Sequence, residues 1–130
     1  MTYTIAVFGS PYSTTAHIHA LNFCTAAIDA GHSISRVFFY HDAVYAALNA
    51  RVTPQDEIDV TKEWCELYTA HNVALEVCIA NALKRGIIDA SEAERHEMPT
   101  TTLAFGFELG GLGHRIDGII TADRYFELPA

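Results

Sequence analysis

Val73-Ala74-Leu75-Glu76-Val77-Cys78-Ile79-Ala80, followed by Asn81-Ala82-Leu83-Lys84-Arg85-Gly86, decides how this chain folds. Val73, Leu75 and Val77 set β-branched and apolar side chains at period two, the pattern of a strand. Ala80, Ala82, Leu83, Lys84 and Arg85 favour a helix, and Gly86 supplies its stop. Cys78 falls at the switch between the two. In a parallel sheet that switch lies at the carboxyl edge, where open α/β proteins place their ligands. Free amides at a helix start favour negative charge, and thiols so placed ionise more readily than a free cysteine. The position therefore predicts a nucleophile at Cys78. The competing reading is an inert buried thiol, the commoner fate of a cysteine.

Toward the N-terminus, residues 34–40 read as a second strand and residues 4–8 as a first, a nearly continuous apolar run covered on both faces. Gly9-Ser10-Pro11-Tyr12-Ser13 is a turn. Ser13 or Thr14 caps a helix to about Ala30, with Ile18, Leu21, Cys24 and Ile28 at helical spacing and Gly31 ending it. His41-Asp42 follows the second strand, and Asp42 caps a short helix through Ala47. Thr53 or Asp56 opens a further helix with Ile58, Thr61, Trp64, Cys65 and Tyr68 on one face, ending near His71-Asn72.

Beyond Gly86, Ser91-Glu92-Ala93-Glu94 has the form of a capping box. Leu103, Phe105, Phe107 and Leu109 alternate with Ala104, Gly106 and Glu108 as a fourth strand. Gly110-Gly111-Leu112-Gly113 reads as a tight turn, Ile116, Ile119 and Ile120 as a last helix, and residues 124–128 as a closing strand. This alternation predicts one α/β domain over residues 1–130, a parallel sheet of about five strands with helices on both faces. Its connections should be right-handed crossovers.

Eight Lys and Arg against sixteen Asp and Glu give a net charge of -8, which argues against direct, phosphate-driven nucleic-acid binding. No apolar stretch approaches the roughly 20 residues of a membrane-spanning helix. The start lacks a basic n-region and its apolar run is too short for a signal peptide, so a cytoplasmic location is expected. Cys24, Cys65 and Cys78 form no CxxC pair and are expected as free thiols. Cys24 and Cys65 share apolar helix faces with Leu21 and Trp64, which makes them core residues. The histidines show no clustered ligand set, so no metal is expected. The Gly9–Thr15 segment lacks the glycine-lysine phosphate-loop pattern, and Gly-x-Gly-x-x-Gly is absent. No nucleotide or flavin cofactor is expected. His41 and Asp42 sit at a strand's carboxyl end and either tune Cys78 or form a solvated loop pair. Lys84 and Arg85 either attract an acidic partner or are solvated charges.

Several segments together resemble the DsrE/TusD sulfur-relay family. They are Arg36-Val37-Phe38-Phe39-Tyr40-His41-Asp42-Ala43-Val44, Thr53-Pro54-Gln55-Asp56, residues 77–89 around Cys78, Gly111-Leu112-Gly113 and Ala122-Asp123-Arg124. The resemblance spans nearly the whole chain in order. It implies a flavodoxin-like sheet and a cysteine that becomes a persulfide, carried onto Cys78. It implies two related partner subunits, TusB/DsrH-like and TusC/DsrF-like, in a hexamer with two copies of each. It further implies a TusA-like sulfur donor and a TusE/DsrC-like acceptor, serving 2-thiouridine formation at the tRNA wobble position. In DsrE-like members the same relay serves sulfur oxidation, and a non-catalytic structural subunit is a further alternative. One departure is visible. The family often has Ser-Gly-Leu-Gly where this chain has Gly110-Gly111-Leu112-Gly113, so no hydroxyl acts there.

Overall fold

Five parallel strands form one sheet in the computed structural model, which describes residues 1–129. In chain order the elements are β1 (Thr2–Val7), α1 (Ala16–Asp29), β2 (Ser33–Phe39), a 3₁₀ helix (His41–Ala47) and α2 (Val60–His71). Then follow β3 (Ala74–Cys78), α3 (Ile79–Leu83), α4 (Ala90–Arg95), β4 (Phe107–Gly110), α5 (Leu112–Thr121) and β5 (Arg124–Leu128). The strand order is β4-β3-β2-β1-β5, and every pairing is parallel. This is the single-sheet α/β architecture that the alternation of patterns predicts, in the flavodoxin-like form that the resemblance implies.

The topology sets which face each helix covers. The chain steps in one direction from β1 to β4, then jumps back across the sheet to β5. With right-handed crossovers the first three connections lie on one face and the last on the other. Trp64 of α2 and Ala20, Cys24 and Ala27 of α1 accordingly pack with Ile5, Val7, Val37, Phe39, Leu75 and Val77 in one apolar cluster. On the opposite face α5 lies close to the strands through Gly118. A Cβ at Gly118 would stand 3.0 Å from the Phe38 ring and 3.3 Å from Thr4 and Arg36. The Thr4 hydroxyl donates to the Gly118 carbonyl at 3.1 Å, which holds the helix down.

Several local expectations need correction. Asp59, not Thr53 or Asp56, caps α2, because its carboxylate accepts from the Lys62 amide at 3.1 Å. The Ser91–Glu94 capping box does not form: Asp89 takes the Glu92 amide at 2.8 Å and starts α4 earlier. In α1 the buried stripe is Ala16, His17, Ala20, Cys24 and Ala27, while Ile18 faces outward. Ile58 precedes α2 and is exposed. Only residues 107–110 of the predicted fourth strand pair in the sheet. Leu103 instead bridges Leu48, and Phe105 turns out to solvent. The glycines at 110–113 make no tight turn. Gly110 ends β4, Gly111 is the cap of α5, and none of the three has positive φ. Gly86 does, at 79°, and stops the α3 segment as expected.

Candidate active site

Cys78 closes β3 and is the N-cap residue of α3, with a half-buried side chain. Its strand pairs with β2 on one side and β4 on the other, and Cys78 itself is the register partner of Gly110. The two neighbouring strands then part company. β3 leads into α3, whose Ala82 packs in the α1/α2 core, while β4 leads into α5 on the opposite face. Adjacent strands whose connections leave to opposite faces define a switch point, the position at which open α/β sheets bind ligands outside the strand ends. Cys78 stands at that point.

Side-chain alternation places Cys78 on the α5 face together with Glu76, Phe38 and Tyr40. Burial pushes the Tyr40 hydroxyl above its ordinary pKa; Arg115 opposes this, and a thiolate at Cys78 adds to the rise. The Arg115 guanidinium lies 5.0 Å from the Tyr40 ring centre and 5.6 Å from that of Phe8. Phe8 stacks on Tyr40 with centroids 5.4 Å apart. Arg115 donates to the Tyr125 hydroxyl at 3.0 Å and to Glu127. The strand-edge thiol thus has an aromatic wall and a held cation on its β2 side. On its β4 side is His114, whose Nδ1 is 3.1 Å from Glu76 Oε2. Glu76 is 6% exposed and also accepts from Arg36 at 3.3 Å, and Arg36 in turn reaches Asp117 at 3.0 Å.

His41 and Asp42 are tied to the helix that follows Cys78. The His41 amide donates to Asn81 Oδ1, and Arg85 donates to Asp42 at 3.0 Å and to the Asn81 carbonyl at 3.1 Å. His41 holds φ at 50°, a left-handed conformation that is costly for a residue with a Cβ. Its ring sits 5.6 Å from that of Phe8. The structure therefore brings His41, Asp42 and Arg85 together around α3. Lys84 caps the end of α3 and is exposed to solvent.

The other two thiols differ. Burial pushes Cys24 up to about 12, which keeps it an inert core thiol. Cys65 is half-buried and donates to the Phe105 carbonyl at 2.8 Å, with burial again raising its pKa. Among the described residues, no three His, Cys, Asp or Glu side chains gather as a metal site. Grooves of about 430 and 460 Å³ lie along α1 and α2 and on the residue 51–61 segment, and Cys78 lines neither. The cation and the histidine–carboxylate pair flank the strand edge that Cys78 closes, away from both grooves.

Phe8, Tyr40, Asn81, Arg115 and the Glu76–His114 pair are absent from the residues that sequence patterns single out. Glu76 and Asn81 are within three residues of Cys78, whereas Phe8, Tyr40, Arg115 and His114 come to that strand edge through sheet pairing and helix packing, which local spacing does not encode. The one available signal is positional: Phe8 and Tyr40 stand at the carboxyl ends of predicted strands, as Cys78 does.

A parallel α/β protein with a thiol at its switch point is the class defined by fold and site. The DsrE/DsrF-like family model matches residues 1–128, and the chain belongs to this family. It is 44% identical over 124 residues to the sulfurtransferase TusD of Salmonella dublin, covering 95% of this chain and 97% of that one. To the TusD homolog of Vibrio vulnificus it is 43% identical over 122 residues, covering 94% and 93%. The crystal structure of the ychN protein from E. coli superimposes with a TM-score of 0.77 over 98% of both chains at 23% identity, a likeness of fold.

Proposed function

We propose that the chain is a TusD-like sulfurtransferase that carries persulfide sulfur on Cys78. Its role in a sulfur relay follows from its family and from relatives named sulfurtransferases along almost the whole chain. The observation that carries the assignment to Cys78 is its position, a half-buried thiol at the β3/β4 switch point. Cys24 is buried beyond reach, and Cys65 is engaged with the Phe105 carbonyl.

In the reaction, the Cys78 thiolate attacks the outer sulfur of a donor persulfide. A new S–S bond forms, the donor's S–S bond breaks, and the donor thiolate leaves. A partner cysteine then attacks the outer sulfur of Cys78–S–SH and releases the Cys78 thiol. Rate depends on thiolate, access and the leaving thiol. Arg115, held over Tyr40 and Phe8, supplies positive charge near the anionic sulfur species. Asn81 and Arg85 fix the His41–Asp42 turn against α3, and exposed Lys84 offers a charge to an acidic partner.

The sulfur is delivered toward 2-thiouridine at the tRNA wobble position through a TusE-like acceptor, after arriving from a TusA-like donor. Two related subunits, TusB-like and TusC-like, complete a hexamer with two copies of each. Support for subunit contact comes from α5, which turns Ile116, Ile119 and Ile120 outward, the last 75% exposed. Among the described residues, no helix is long and apolar enough to cross a membrane.

Intact-mass analysis after treatment with a persulfide donor tests the carrier role. The wild type should gain one sulfur atom, mapped to Cys78, and Cys78→Ser should gain none there. No gain in a protein that still assembles with its partners would leave a scaffolding subunit instead.

A further inference from the structure

We propose that His114 is the acid–base partner of Cys78, with Glu76 as the residue that positions it. This deepens the sulfur-transfer reading and rests on it. Gly110 and Cys78 are register partners on neighbouring parallel strands, so their Cα atoms are about 4.8 Å apart and their side-chain directions agree. A side chain at 110 would stand beside that of Cys78. Glycine has none, and the His114 imidazole takes the space. A Cβ at Gly110 would lie 3.0 Å from Nδ1 and 3.6 Å from Cε1 of that ring.

The ring is also held in orientation. Glu76 precedes Cys78 by two positions on the same face of β3, and its Oε2 is 3.1 Å from His114 Nδ1. A carboxylate accepts, so Nδ1 carries the proton and Nε2 is left as the nitrogen that takes and gives one. The His114 side chain is half exposed, as proton exchange with solvent requires. A buried carboxylate is costly to keep, and replacing such pairs by apolar groups is often neutral or stabilising. Glu76 lies outside the α1/α2 core cluster, so packing there does not account for it. The charged and titratable groups around the pair are Arg36 from β2, Tyr40 just beyond it, Glu108 from β4, and Arg115 and Asp117 from α5.

The proton inventory closes. His114 Nε2 accepts the Cys78 thiol proton as the sulfur forms its bond to the outer sulfur of the donor R–S–SH. The donor S–S bond breaks, its electron pair leaves on R–S⁻, and His114 returns the proton to give R–SH. Cys78–SH and R–S–SH become Cys78–S–SH and R–SH, with no oxidant or reductant. Delivery to the acceptor cysteine runs the same exchange, with the acceptor's thiol proton going to His114.

Alkylation of Cys78 by iodoacetamide, read by peptide mass mapping at pH 7 and pH 10, tests this without any sulfur donor. His114→Gln should react at least about tenfold more slowly than wild type at pH 7, in line with the size of acid–base contributions. At pH 10, where the solvent removes the proton, the two rates should converge. Added imidazole should restore the pH 7 rate of His114→Ala, a rescue that a purely structural role would not give. Glu76→Gln should fall between wild type and His114→Gln. Equal rates for wild type and His114→Gln at pH 7, or His114→Ala without rescue, would overturn the proposal. Sulfur loading is measured separately. Loading at Cys78 with His114-independent alkylation removes this inference alone, whereas His114-dependent alkylation without loading removes the transfer reading and leaves this pairing standing.

Discussion

The two faces of the sheet are built from the same five strands and differ in almost every respect. Under α1 and α2 the strands present Ile5, Val7, Val37, Phe39, Leu75 and Val77, all at most 2% exposed, with Trp64 pressed among them. Under α5 they present Thr4, Arg36, Glu76 and Cys78 beside Ala6 and Phe38, so that ion pairs enter where the first face is hydrocarbon alone. Burial of apolar area drives folding at about 25 cal/mol per Å². Buried ion pairs contribute little net, since desolvation offsets attraction. The division teaches that apolar packing and charged groups sit on opposite sides of one sheet, the charged side being the one that carries the proposed chemistry. A period-two strand makes this assignment available, because each residue commits to one face.

The sharpest way to break the comparison is Trp64→Ala. Trp64 is fully buried, packs edge-on against Phe39 at 5.2 Å between centroids, and donates to His17 Nδ1 at 3.1 Å. Its removal should cost about 3–5 kcal/mol, measured by urea unfolding. A cost below 1 kcal/mol would mean that the α1/α2 face is not where stability resides.

The next effect is a pH dependence from the single histidine sunk in that face. His17 is 1% exposed, and its Nε2 donates to the Gly9 carbonyl at 2.9 Å while Nδ1 accepts from Trp64. Burial lowers its pKa from 6.5 to about 4. The unfolded chain therefore binds a proton in this range that the folded chain refuses. The contribution is fully present above about pH 6.5 and is lost as pH falls through about 4, roughly 3 kcal/mol in all. Unfolding free energy measured from pH 7 to pH 4 should fall less steeply in His17→Gln than in wild type. Parallel slopes would show that the face tolerates a charge.

The smallest effect belongs to the site side. Asp42 is exposed where it meets Arg85 at 3.0 Å, and exposed pairs are worth at most about 1 kcal/mol. Asp42→Asn should leave the urea midpoint nearly unchanged while altering the rate of sulfur loading at Cys78. A large loss of stability with unaltered loading would reverse the roles given to the two regions.

The apolar face was the legible one. Val73, Leu75 and Val77 announced β3, the run at 34–40 announced β2, and Gly86 and Asn72 ended their segments at positive φ as their residue types suggest. Cap choice was not legible where candidates crowd together, as with Asp89 against Ser91 and Glu94, because two or three residues offer the same oxygen to the same amides. The Gly110–Gly113 stretch misled because glycine signals permission rather than a particular conformation. At the candidate site, Cys78, His41 and Asp42 could be placed from strand ends, and Arg85 from the helix that follows Cys78. Tyr40, Arg115 and Glu76–His114 depend on pairing between strands distant in sequence and on where α5 lands after crossing the sheet.

The divergence of β3 and β4 has a bearing on traffic. Their outgoing chains peel away to opposite sides and leave a gap between the strand ends, and under the proposed reading the sulfur on Cys78 enters and leaves by that doorway. Donor and acceptor proteins would then exclude one another at the same threshold, and handing on the cargo becomes a matter of alternation, with the empty protein receptive to one visitor and the loaded protein to the other.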